Sequence, residues 1–333
     1  MYKKMILLFA FVLLILGLGS AYAGNEGRIG TTGGQELLIP TDARGAALGG
    51  SAIANAAGIE AMFWNPAGLA YIDEGTQVIF THIPWIADID INYVAVATNI
   101  EDFGVIGFSY KSVNIGNIEE TTEAFPEGTG SIFSPTLAVL GLSYARAMTT
   151  NINFGFSVQL INEDIFEVQA SGFAFDFGFQ YEPRWHGLTM GIVLKNYGPD
   201  LTFTGKGFDR PSSVGNRPVS SENAGSELPT SVNIGLAYEF MSNGLNTVTA
   251  TGNFKGNNQN NDFWQGGLEY GYDDWLFVRG GYNYSTQEGW LYGATVGFGF
   301  TRPVGDMNLS IDYTWTETDV FESNQFFSIR AAF

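Results

Sequence analysis

The sequence predicts an all-β fold: a transmembrane antiparallel β-barrel of about fourteen strands, with a small, partly helical N-terminal plug segment. Three observations predict it. Apolar residues alternate with small or polar ones, with a period of two, along most of the chain. The alternating stretches are joined by connections that are short and long in turn. The composition is rich in glycine and aromatics and poor in charge: 43 Gly, 27 Phe, 15 Tyr and 15% charged residues, where a soluble domain is nearer about 25% charged.

Residues 1–23 read as a cleaved secretory leader. Lys3 and Lys4 precede an apolar run from Met5 to Leu18, and Ala21-Tyr22-Ala23 supplies the small residues a signal peptidase needs. The run is short for a spanning helix, which wants about 20 apolar residues. No later stretch is apolar enough to span as a helix, which leaves the closed barrel, the other structure that satisfies every backbone group in lipid. Loss of the leader removes two lysines and no acid, so the net charge moves from −19 to about −21. Such a chain will not grip nucleic acid through its phosphates. With no Cys, it has neither disulfides nor thiol chemistry.

Residues 24–75 lack the period of two and form the expected plug or inner segment. Ala46, Ala47, Leu48, Ala52, Ile53, Ala56 and Ala57 suggest a small-faced helix, weakened by Gly45, Gly49 and Gly50. Pro66 disfavours helix at Asn65 and ends the small-residue run there.

Residues 76–333 form the expected barrel. Strands are expected at 76–82, 89–100, 103–113, 136–148, 151–162, 170–182, 186–197, 229–241, 245–255, 262–272, 275–285, 290–301, 306–316 and 324–333. In 307–315, Met307, Leu309, Ile311, Tyr313 and Trp315 share one face, and Asn308, Ser310, Asp312 and Thr314 the other. A barrel in lipid turns the apolar row outward and the polar row to the lumen. Trp264, Tyr272, Trp275, Tyr282, Tyr284, Trp290 and Trp315 lie near strand ends, where aromatic girdles sit.

Tight connections such as Glu101-Asp102, Thr149-Thr150 and Asp273-Asp274 alternate with longer ones, including 114–135 and 198–228. Barrels of the bacterial outer membrane have short periplasmic turns and long outer loops. That pattern implies an outer-membrane location against lipid, extracellular long loops and both mature termini in the periplasm. Phe333 ends the last strand, and such a terminal aromatic resembles the signal read by barrel-assembly machinery.

No catalytic constellation, cofactor site or metal site stands out, so the chain reads as a non-enzyme. His82 and His186 lie at a strand end and beside a tight turn. Strand parity places Lys111, Asp176, Glu182, Lys195, Glu239, Glu269, Arg279, Asp312 and Arg330 in the lumen. Lys or Arg on the lipid face at mid-depth would cost about 2–4 kcal/mol. A salt-bridged interior that holds the plug is the favoured reading of these charges over a polar conduit.

Residues 41–70 run from Thr-Asp-Ala-Arg-Gly-Ala-Ala-Leu-Gly-Gly to Phe-Trp-Asn-Pro-Ala-Gly-Leu-Ala. They resemble the N-terminal signature of the PorV/PorQ family, with Trp64, Asn65, Pro66 and Gly68 as the plug motif. That family is related in architecture to FadL-type transporters of hydrophobic compounds. The resemblance implies a fourteen-stranded barrel and a part in type IX secretion. Secreted cargo carrying a C-terminal sorting domain would be bound at the outer loops 114–135 and 198–228. The alternative it implies is passive transport of fatty acids or another hydrophobic small molecule.

Overall fold

The structure is a computed structural model that describes residues 24, 26–183, 185, 187–210, 219–220 and 224–333. Residues 1–23, expected to be a leader, and His186 lie outside the described residues. Fourteen strands build one closed antiparallel barrel: β1 (Thr76–Pro84), β2 (Asp90–Ile100), β3 (Gly104–Asn114), β4 (Thr136–Thr149), β5 (Ile152–Ile165), β6 (Val168–Tyr181), β7 (Leu188–Tyr197), β8 (Ser231–Ser242), β9 (Asn246–Asn257), β10 (Phe263–Tyr272), β11 (Leu276–Ser285), β12 (Tyr292–Val304), β13 (Met307–Thr318) and β14 (Asn324–Ala332). Each strand pairs with its neighbours in sequence. β1 and β14 close the ring, from Gln77 opposite Ala332 to His82 opposite Phe327. Thr76 and Phe333 extend the closure by exchanging backbone hydrogen bonds of 2.9 and 3.3 Å.

The period of two sorts side chains between lipid and lumen. Phe80, Phe108, Leu142, Phe298, Ile311 and Ile329 stand exposed on the outer face, where the surroundings are lipid. The lumen is not uniformly polar. On β1 to β5, Ile79, Ile83, Ile91, Val105, Val139 and Ile161 point inward and are buried. On β8 to β14 the inward row is Asn233, Thr251, Asn253, Arg279, Asp312 and Thr314. The N-terminal segment accounts for the difference, because it fills the lumen and offers each wall a matching face. Its Ile53, Ile59, Met62, Leu69 and Ile72 pack with Ile79, Tyr93 and Val105 in one buried cluster. Full burial of each such side chain is worth about 1.5–3 kcal/mol.

Several expectations are corrected. The small-residue run forms only a five-residue helix, α1 (Ala43–Ala47); Gly49 and Gly50 take φ of 65° and 84° and end it. A second short helix, α2 (Ala61–Trp64), stops before Pro66. β5 and β6 run further than their sequence suggests and meet at a tight Phe166-Glu167 turn, with Phe166 at φ 55°. Trp290 does not sit in an outer girdle; it packs on Phe263 and lines the lumen.

The two ends of the described chain do not share one end of the barrel. Gly24 lies against Asn260 to Asp262, between β9 and β10 and on the side of the long loop 198–228. Phe333 lies on the side of the short turns. The inner segment therefore crosses the lumen. It begins under the long loops, where Arg28 pairs with Glu227. It ends beside the short turns, where the Asn99 amide donates to Ile72 and Asp73.

Inward glycines let the segment touch the wall. A Cβ on Gly281 would stand 2.3 Å from the backbone of Leu48 and Gly49. Replacing Gly281 with Val should therefore displace the inner segment, at a cost of about 1–3 kcal/mol or more for overpacking. The unboiled native protein should migrate differently from the boiled one on a gel, and Gly281→Val should lose that difference at a lower temperature. An unchanged transition would place the segment away from β11.

Candidate functional site

The plug is organised by Asp42 and Asn65. Asp42 caps α1 by accepting from the Gly45 N–H at 2.7 Å, and its other oxygen accepts from the Trp64 indole at 2.5 Å. Trp64 presses on Gly45, where a Cβ would stand 2.1 Å from the ring nitrogen. Asn65 caps the 3-10 turn that Pro66 opens, accepting from Ala67 N–H at 3.2 Å. Its amide donates to the carbonyls of Ile53 and, on β6, Phe179. Gly68 lets the turn approach the Ala56 carbonyl, 2.1 Å from where a Cβ would be. The motif thus joins α1, α2 and the wall.

Across the lumen runs a chain of alternating charge. Asp312 on β13 pairs with Arg279 on β11 at 2.5 Å, and Arg279 pairs with Glu269 on β10 at 2.6 Å. Glu269 binds Arg44 of α1 in a two-pronged contact of 2.9 and 3.0 Å. Arg44 also reaches Glu60 of the plug at 3.5 Å, and Glu60 accepts from Arg330 on β14 at 2.7 Å. Three guanidinium groups and three carboxylates cancel. Each buried charge faces an opposite one, which removes the several kcal/mol that an unpaired ion would cost there.

The remaining sequence-selected residues divide. Lys111 donates to the carbonyls of Glu36 and Ile39 at 2.8 and 2.9 Å, and Lys195 to that of Phe63 at 2.5 Å. Both ammonium groups stand over the Phe63 ring. Asp176 accepts from Gln159 and from the Asn196 backbone. Glu182 and Glu239 are exposed at strand ends and join no buried contact of this kind. Phe333 is 63% exposed on the outer face. His82 meets Asn92 at 2.9 Å on the exposed surface.

Between the plug and the wall, toward the long loops, lies a cavity of about 430 Å³. Its floor includes Leu37, Ile39 and Ile53 of the plug, and its wall includes Phe263, Trp290 and Tyr292. Lys195, Lys255, Asn196 and Asn283 bring polar groups to it. Strand parity as read from sequence missed Lys255, because β9 is mostly Thr, Gly and Asn and shows no apolar row. It also missed Arg44 and Glu60, whose partners on the wall are more than two hundred residues away.

The charge chain yields one prediction. Arg44→Met leaves Glu60 and Glu269 with one cation fewer and should destabilise the folded barrel by about 3–5 kcal/mol. The balanced double change Arg44→Met with Glu269→Gln, which leaves Arg279 with Asp312 and Arg330 with Glu60, should recover more than half of that, measured as denaturant midpoints. A second prediction concerns pH. Burial, and then the Glu163 carboxylate beside it, push Glu36 up from 4.5 to about 7. The folded chain holds a proton there that the unfolded chain has shed, so plug stability falls as pH rises from about 4.5 to 7. Glu36→Gln should flatten the pH dependence of protease cleavage in residues 26–40.

No curated protein matches the chain significantly. Among solved structures, the CymD monoaromatic hydrocarbon channel aligns with a TM-score of 0.57 at 16% identity, covering 89% of this chain and 98% of the channel. The Ralstonia pickettii toluene transporter TbuX gives 0.56 at 15% identity, covering 88% and 98%. A Pseudomonas aeruginosa FadL homologue gives 0.52 at 12%, covering 89% and 98%. These likenesses concern the fold. The family described as type IX secretion system protein PorV matches residues 22–256, which hold the plug motif, the cation Arg44 and nearly all of β1 to β9. With most of the chain matched on a plugged fourteen-strand barrel, this protein belongs to the PorV family.

Proposed function

We propose that this outer-membrane barrel serves a type IX secretion system by receiving secreted protein at its long-loop end. The observation that carries the reading is the family match across plug and barrel together. The latched plug supports it: a lumen filled by the chain's own residues suits a receiver that works at its rim better than a conduit for polypeptide. In this reading the loops around 114–135 and 198–228 face outward, and the short turns face the periplasm. Strand β14, with Phe333 directly after it, is the part read by barrel-assembly machinery.

A second reading, passage of a hydrophobic small molecule, is favoured by one specific observation. The cavity is walled largely by apolar and aromatic side chains and lies below the long loops.

Purification of the full chain in mild detergent should co-recover secreted proteins that share one C-terminal domain. Deletion of 206–224 should reduce their yield several-fold while heat-modifiable folding persists. Recovery of bound lipid with no such protein would sink the first reading and favour the second.

A further inference from the structure

We propose that the cavity is a binding site for a small amphipathic monoanion with a flat apolar body, its anionic group seated at Lys255. This deepens the second reading, and rests on a ligand entering that cavity. Lys255 lies on β9 opposite Phe263 of β10, and its ammonium stands 5.4 Å from the centre of the Phe263 ring. Both residues line the cavity. Among the described residues Lys255 has no ion pair, and no hydrogen bond to its ammonium is found.

Apart from Glu36, the buried acids around the lumen hold other partners. Glu60, Glu269 and Asp312 are consumed by the charge chain. Asp42 holds Gly45 and Trp64, Asp176 holds Gln159 and Asn196, and Asp262, next to Phe263, accepts from the Asn257 N–H. Glu36 also lines the cavity, but the charges acting on it are those of Glu163 and Lys111. The charged neighbour that Lys255 does feel is another cation, Lys195. An ammonium held in such a place lacks a counter-charge, and a bound anion supplies one with a charge-assisted hydrogen bond.

The shape of the ligand follows from the wall. Ring centres run from Phe263 to Trp290 at 4.3 Å, on to Tyr292 at 5.4 Å, to Trp85 at 6.3 Å and to Phe326 at 6.1 Å. This ribbon starts at the ring beneath Lys255. Flat apolar surfaces stack or meet edge-on with such rings. Asn196 and Asn283 also line the cavity, and their buried side-chain oxygens lack partners.

The test compares 4-phenylbutanoate with 4-phenylbutan-1-ol by calorimetric titration of the folded full chain in detergent, with empty micelles as blank. The carboxylate should bind at least about tenfold more tightly than the alcohol, the scale of one charge-assisted hydrogen bond. Lys255→Met should remove most of that ratio and leave the alcohol's affinity within about twofold. Lys255→Arg should keep the ratio, and so should Lys206→Met, at an exposed lysine of the long loop. Equal binding of the two ligands, or a ratio unchanged in Lys255→Met, would overturn the anion site and leave a hydrophobic pocket. Binding of neither would overturn both.

Discussion

In lipid no water is available to backbone N–H and C=O groups, so a sheet must leave no open edge. Here the β1–β14 pairing meets that requirement, and much else depends on it. Closure fixes an even number of strands and puts one row of each strand outside. It also creates an interior that fourteen strands make too wide for their own side chains to fill. A ring of this size holds either solvent or a guest. This chain supplies the guest from its own N-terminal segment.

The guest is held by two kinds of force on two sides. Toward β1 to β5 it buries aliphatic side chains against aliphatic side chains, which is strong but weakly directional. Toward β8 to β14 it uses charge and hydrogen bonds, including Thr295 and Thr314 donating to the carbonyls of Ala47 and Ala43. Those contacts carry geometry. A plug shifted by one turn would leave Arg44 and Glu60 facing uncharged wall, so the charge chain sets the register of the plug. Tight seating at mid-lumen also leaves room above it. The cavity lies where the plug turns from its N-terminal arm into α1.

Much of this was legible in the sequence, for physical reasons that can be named. The strands with bulky apolar rows, such as β5, β6 and β13, declare their outer face because lipid accepts little else there. β9 does not, since its Thr, Gly and Asn residues suit either face, and Lys255 was lost with it. The extended ends of β5 and β6 carry Glu163, Asp164 and Gln169, which look like loop residues yet pair as strand. Trp290 near a strand end fits a girdle as well as a cavity wall, and only the packing on Phe263 decides. The plug motif was visible as a motif. Its partners were not, because the contact of Arg44 with Glu269 has no local trace in sequence. The inner segment crosses the whole lumen, so Gly24 and Phe333 lie at opposite ends of the barrel, which no strand count can show.

The fold is a barrel whose interior is occupied by the chain's own N-terminal segment. The most direct test is a crosslink inside the lumen. The chain has no native Cys, so cysteines placed at Ala47 and Thr295, whose hydroxyl donates to the Ala47 carbonyl at 2.7 Å, are the only pair. In folded protein in its membrane, oxidation should close a disulfide that changes gel mobility only under non-reducing conditions. Folded, heat-modifiable protein that forms no such bond would contradict the plugged barrel.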